Sequence, residues 1–225
     1  TAASEEGDLL LNGEVEAVIN GGIADVFVCR ARTRRDAARA VILKRGMKGL
    51  SVRKPRRKAG LRAARLVFRN CRVPRENLLG REGDGGRIAA HVLNGGRIGV
   101  AARAVGIAQA CLESCVQLAA DAASPDFHQR LAAMATNIEA ARMLVYRAAQ
   151  LRDGDAAHTR EASMSKLFAT EMAVRHAVQA VRMHGGLRAC KGLPAERHLR
   201  DARIAENCWG TAEANRSAIA HTLLK

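Results

Sequence analysis

Three kinds of side chain in this 225-residue sequence could do chemistry, and their spacing narrows what each can do. Six cysteines (Cys29, Cys71, Cys111, Cys115, Cys190 and Cys208) contain no C-x-x-C pair. Cys111 and Cys115 share a helix face at i, i+4, but no histidine stands at ligand spacing beside them, so neither zinc nor a disulfide framework is expected, and reduced thiols in an intracellular compartment are the default. His184 directly precedes Gly185-Gly186, and His198 lies in Glu196-Arg197-His198; both are expected to make structural hydrogen bonds. Gly185-Gly186 reads as a helix stop. Thr211 and Glu213 suit a helix start, as cap and as partner of the helix dipole. Arg97 follows Asn94 by three residues and can pair with a carboxylate. The formal net charge of +15 would attract anions such as nucleic acid, phosphorylated cofactors or acidic surfaces. The basic residues are spread along the chain, densest at Arg53-Lys54-Pro55-Arg56-Arg57-Lys58.

The elements that must position these residues change character near residue 80. Up to that point short β-type segments alternate with turn signals: Leu9 to Leu11 before Asn12-Gly13, and Val15 to Ile19 before Asn20-Gly21-Gly22. Segments from Asp25 to Ala31, Ala40 to Lys44, Gly49 to Arg53 and Arg65 to Asn70 follow. Asn-Gly between apolar stretches predicts hairpin turns, because both central positions need positive φ. Residues 1–80 therefore predict an antiparallel sheet or small barrel. After the glycine-rich link from Gly80 to Gly86 the period becomes helical. Ile98, Val105, Leu112 and Ala119 repeat every seven residues, with Ala101, Ala108 and Cys115 offset by three. A second helix repeats the pattern with Leu131, Ile138 and Val145 against Met134, Ala141 and Ala148, starting at Ser124-Pro125. A third carries Met164, Leu167, Val174, Val178 and Val181, and a fourth runs from Gly210-Thr211 to the C-terminus. The fold class is α+β, with a helical bundle over residues 81–225. Aromatics are only 3% of residues, so the core is built from aliphatic and small side chains. No apolar run approaches the ~18–20 residues that span a bilayer, and the first residues resemble no signal peptide.

Several segments, in order along nearly the whole chain, resemble the acyl-CoA dehydrogenase family, in its short-chain branch. They are Leu11-Asn12-Gly13, Asn20-Gly21-Gly22-Ile23-Ala24-Asp25-Val26-Phe27-Val28, Gly60-Leu61-Arg62-Ala63 and Leu66-Val67-Phe68. Cys71-Arg72-Val73-Pro74 and Glu76-Asn77-Leu78-Leu79-Gly80 follow. The helical half adds Gly95-Gly96-Arg97-Ile98-Gly99, Gly106-Ile107-Ala108-Gln109-Ala110, His184-Gly185-Gly186, Glu196-Arg197-His198 and Arg200-Asp201-Ala202-Arg203-Ile204. The resemblance implies a chain truncated at its N-terminus, with a middle β-domain, a C-terminal four-helix bundle and a homo-oligomer, dimer or tetramer. It implies FAD and an acyl-CoA substrate, which loses a proton from Cα to a carboxylate and a hydride from Cβ to the flavin. It implies a cytoplasmic protein, or one of the mitochondrial matrix in a eukaryote, and no membrane partner.

Against the family's R-I-x-E-I-Y-E-G-T-S-E stretch, this chain reads from Arg203 to Glu213 with Trp209 at the base position. Indole offers one N–H donor and no basic site. The alternative base position on the first bundle helix is Gly96, so neither position carries a carboxylate. Glu206 and Glu213 are the carboxylates nearest in sequence. The resemblance assigns Gly185, Gly186, Thr211 and Glu213 to FAD, and Arg97, with Asn94 in place of an acidic residue, to the substrate side. Other cofactor-contact motifs are altered: Ala17-Val18-Ile19-Asn20 replaces W-[IV]-[TS]-N, Arg182 replaces a Gln, and Asp121-Ala122-Ala123-Ser124-Pro125 replaces an R-x-x-F-G segment. The expectation is a family oxidoreductase with weak or no activity; the alternatives are a non-catalytic scaffold that keeps the fold, or a basic nucleic-acid-binding member.

Overall fold

A computed structural model describes residues 2–5, 8–32, 38–54, 63–119, 124–186, 192 and 194–224. The chain divides into two compact units, Thr1–His91 and Val92–Lys225. The dense basic run from residue 55 onward, Gly60-Leu61-Arg62, Asp121-Ala122-Ala123 and Cys190 lie outside the described residues.

Among the described residues the first unit holds seven strands: β1 (Ala2–Glu5), β2 (Asp8–Val18), β3 (Val26–Arg32), β4 (Ala38–Lys44), β5 (Leu50–Arg53), β6 (Ala64–Val73) and β7 (Leu78–Leu79). They form two antiparallel sheets, ordered β1-β2-β6-β5 and β3-β4-β7. The small barrel expected from the sequence is not there; among the described residues the sheets stay open and separate. Asn12-Gly13, expected as a hairpin turn, instead lies within β2 at a bulge. Leu11 pairs with Cys71 and Gly13 with Phe68, so Asn12 faces both Arg69 and Asn70. Asn70 takes φ of 47° and donates its backbone N–H to Asn12 Oδ1 at 2.8 Å. The extra residue changes the parity of β6: Ala64, Leu66 and Phe68 are buried before it, Cys71 and Val73 after it. One inserted residue therefore keeps both halves of a ten-residue strand facing the core. That core is Leu9, Leu11, Phe27, Val41, Leu43 and the buried β6 residues.

The helices are α1 (Gly85–Ala119), α2 (Pro125–Asp153), α3 (Thr159–Met183), α4 (Pro194–Asn207) and α5 (Ala212–Leu223). Five are described where the sequence predicts four. The missed one is α4, whose buried residues are Ala195, Ala202 and Ala205, too small to make an apolar seam stand out. α2 begins as predicted: Pro125 is in its first turn and Ser124 Oγ accepts from Phe127 N at 3.3 Å. Ile98, Ala101, Val105, Ala108 and Cys115 of α1 and Met134, Ile138, Ala141, Val145 and Ala148 of α2 enter one core, as their period predicts. α3 departs from a two-per-heptad seam. Met164, Leu167 and Val178 are only partly buried, while Ala162, Ala169, Ala173, Ala177 and Ala180 are fully buried. α3 is the central helix, packed against α2, α4 and α5, and small side chains let several neighbours approach it. α1 is long and apolar enough by composition to cross a membrane, but half of its most apolar window is buried within the protein's own core.

Candidate functional site

Five of the residues singled out in the sequence converge within the helical unit. Asn94, Gly96 and Arg97 lie within one turn of α1, and Trp209 and Thr211 in the connection between α4 and α5. Asn94 is buried and donates through Nδ2 to Thr159 Oγ1 of α3 at 2.8 Å. Its Oδ1 accepts from Arg97 Nη1 at 3.0 Å. Arg97 is 5% exposed, and its Nε is buried without a hydrogen-bond partner. Burial pushes its basicity below the usual arginine range. Because Asn94 is neutral, the buried guanidinium has a hydrogen-bond acceptor beside it rather than a counter-charge.

Trp209 packs against Gly96. A Cβ built on Gly96 would stand 2.1 Å from the indole Cδ2, far inside contact distance. The two positions to which the resemblance assigns the family's base are thus one place in space, filled by a flat aromatic ring. Trp209 adopts φ of 57° and Gly210 φ of 105°. The left-handed region is rare for a bulky residue, and the second value suits glycine alone.

Two residues that drew no attention in the sequence hold this connection. Lys166 of α3 has no exposed surface, and its Nζ donates to Glu206 O and Gly210 O, each at 2.7 Å. Burial lowers its pKa, with the charge of Glu206 acting in the opposite direction. Asn215 of α5, also fully buried, donates through Nδ2 to Gly210 O at 3.3 Å and Thr211 O at 2.7 Å. A signal for Lys166 did exist: it shares a helix face with Ala162, Ala169 and Ala173, where a lysine is out of place unless its ammonium has partners.

Thr211 is the N-cap of α5, its Oγ1 accepting from Ala214 N at 3.3 Å. Glu213, in the first turn, is held below the usual carboxylate range first by its own backbone N–H and then by the Thr211 hydroxyl. Glu206 is engaged by Arg203 Nη1 at 3.2 Å. Gly185 and Gly186 end α3 with φ of 87° and 93°, donating to Arg182 O and Val181 O. His184 lies beside them: its Nδ1 meets Ala180 O at 2.8 Å and its Nε2 meets Ser114 Oγ at 3.0 Å, which fixes the proton on Nδ1. A Cβ on Gly186 would meet nothing within 4 Å, so that glycine faces open space. The structure does not gather the four residues assigned to FAD. From Lys166, beside the Trp209 connection, to the end of α3 is about 25 Å at 1.5 Å per residue.

The class of protein follows from this arrangement and from its relatives. Residues 83–224 match the family described as "Acyl-CoA dehydrogenase, C-terminal domain". The chain belongs to the acyl-CoA dehydrogenase family. It is 43% identical to an acyl-CoA dehydrogenase of Bacillus subtilis, across all of this chain and 63% of that protein's length. The structure of butyryl-CoA dehydrogenase from Megasphaera elsdenii resembles it with a TM-score of 0.92 at 35% identity, covering 100% of this chain and 63% of that one. An acyl-CoA dehydrogenase complexed with FAD from Bacillus anthracis gives 0.86 at 29% identity, covering 96% and 42%. The chain therefore spans under two thirds of the length of these relatives.

Proposed function

We propose that this chain is the later part of an FAD-dependent acyl-CoA oxidoreductase in which α,β-dehydrogenation is weak or lost because position 209 carries an indole in place of a carboxylate. The observation that carries the reading is the packing of Trp209 on Gly96. Removing a proton from the Cα of a thioester needs a base held out of water. Trp209 has no basic atom, and Gly96 has neither a carboxylate nor room for one while the indole is present. The nearby carboxylates are engaged elsewhere, Glu206 by Arg203 and Glu213 by the α5 cap. Arg97 and Asn94 remain near this place, and the buried Arg97 Nε has no hydrogen-bond partner.

FAD, when bound, would take the hydride from Cβ. The residues that would hold it fit in part. The open surface at Gly186 admits close approach, and Thr211 and Glu213 lie on the exposed N-terminal turn of α5. Their separation along α3 means that one chain presents them to different parts of a cofactor or to different copies of it. A homo-oligomer, dimer or tetramer, in which a second copy supplies one set accommodates that separation. A short acyl-CoA is the proposed substrate, by likeness to the butyryl-CoA dehydrogenase.

The same packing also favours a second reading, a non-catalytic scaffold that keeps the fold. A visible spectrum of the purified protein, before and after incubation with FAD and desalting, separates the two: retained flavin supports the oxidoreductase reading and a colourless protein the scaffold. If flavin is retained, Trp209→Glu should raise dye-linked oxidation of butyryl-CoA by about 10²-fold or more. No gain with flavin bound would refute the assignment of position 209. The nucleic-acid alternative has no such observation behind it; Arg72, Arg130, Arg142, Arg203 and Arg216 are all engaged with carboxylates.

A further inference from the structure

We infer that Lys166 is the positioning residue for the connection that presents position 209. A lysine with no exposed surface is costly, since its ammonium must leave water. Here the cost is offset by two charge-assisted hydrogen bonds of 2.7 Å to main-chain carbonyls that lie 40 and 44 residues away in sequence. Glu206 O is in the last turn of α4, where carbonyls have no partner within the helix. Gly210 O directly precedes the N-cap of α5. One ammonium thus ties the end of one helix to the start of the next and anchors both to α3.

What lies between those two carbonyls is the strained part. Trp209 at φ of 57° occupies a region that a bulky residue keeps only where the surroundings over-determine it, while Gly210 at 105° takes a conformation open to glycine. The bonds from Cys208 N to Ala205 O and from Asn215 Nδ2 to Gly210 O and Thr211 O help. Neither of those residues reaches both sides of the connection. Lys166 does, and it is the group that fixes where the side chain at 209 stands relative to Gly96. An apolar residue in the central helix would be the simpler way to fill this space. The ammonium is there because a two-sided donor is needed. The significance of position 209 rests on the proposed function, but the positioning role does not, and its test needs neither flavin nor substrate.

Trp209 is the one tryptophan in the sequence, so intrinsic fluorescence excited at the red edge, beyond the absorption of the single tyrosine, reports on this connection directly. Trp209 is 43% exposed, with the rest of its ring lying on Gly96. In Lys166→Met its emission should shift further to the red and its acrylamide quenching constant should rise toward that of a fully exposed indole, while far-UV circular dichroism keeps the helical content. Lys166→Arg, which keeps charge and donors, should lie nearer the unmodified protein than Met does. A Met variant with intact helices and an unchanged indole would overturn the inference, as would an Arg variant no better than Met. If Lys166→Met does not fold, urea unfolding of the unmodified protein decides. Indole and helix signals that move together support the tether, and an indole that becomes fully exposed while the helices persist overturns it.

Discussion

The two ends of α3 solve the same problem, how to stop a helix and present a turn, by different means. At the C-terminal end the solution is local. Gly185 and Gly186 take positive φ, and their N–H groups bond to Arg182 O and Val181 O, a few residues back. Toward the N-terminal end α3 supports a turn that belongs to other helices. There Lys166 reaches carbonyls 40 and 44 residues away in sequence, and Asn215 of α5 bonds to Gly210 O and Thr211 O. The first device is written in two adjacent letters. The second exists only once three helices have met. The turn built the second way is the one that carries the indole where a base is expected.

Substitutions at the two ends should differ in size if this contrast is sound. The largest loss is expected from Lys166→Met, which removes the ammonium from Glu206 O and leaves Gly210 O with Asn215 alone; about 2–4 kcal/mol should disappear from the unfolding free energy in a urea titration. Gly96→Ala comes next, at about 1–3 kcal/mol, because its methyl collides with the indole. Combining it with Trp209→Ala should recover most of that loss, and a double-mutant cycle showing simple additivity would disprove the contact. Thr211→Ala should cost about 1 kcal/mol through the lost N-cap. Gly186→Ala should likewise cost about 1 kcal/mol, from its φ alone, since its surroundings are empty. A Gly186 variant as damaging as Lys166→Met would break the comparison.

Between the two ends, His176 offers a probe of the core. It is 5% exposed, its Nδ1 has no hydrogen-bond partner, and burial, with Arg175 adding to it, lowers its pKa from 6.5 to about 4. A depressed histidine pKa means that the unfolded chain binds its proton first. The stability associated with neutral His176 is complete above pH 6.5, falls as the pH drops from there, and is gone below about 4. Thermal unfolding in that window should be less steeply pH-dependent in His176→Gln than in the unmodified protein.

Much of the fold was legible in the sequence because its signals are local. The heptads of α1 and α2, the Ser124-Pro125 start and the Gly185-Gly186 stop each involve residues within one or two helical turns. Strands β3 to β6 were also legible, but β1 and β7 were not, and β2 was read as two segments separated by a turn. Asn12-Gly13 carries a hairpin signal, and only the partner strand, with its extra residue at Asn70, turns that position into a bulge. α4 was hidden because alanines bury without forming a conspicuous stripe.

For the candidate site, residue types alone determined that position 209 carries no base and that Thr211 and Glu213 suit a helix start. A motif fixes which atoms are available, and an indole has no basic nitrogen in any fold. That Trp209 and Gly96 occupy one place, and that Arg97 is left with an unpartnered Nε, was decided by the tertiary structure. So was the joining of two helix ends by Lys166. Each of these depends on distance between residues far apart in sequence, and that distance is set by how helices pack, which no local pattern encodes.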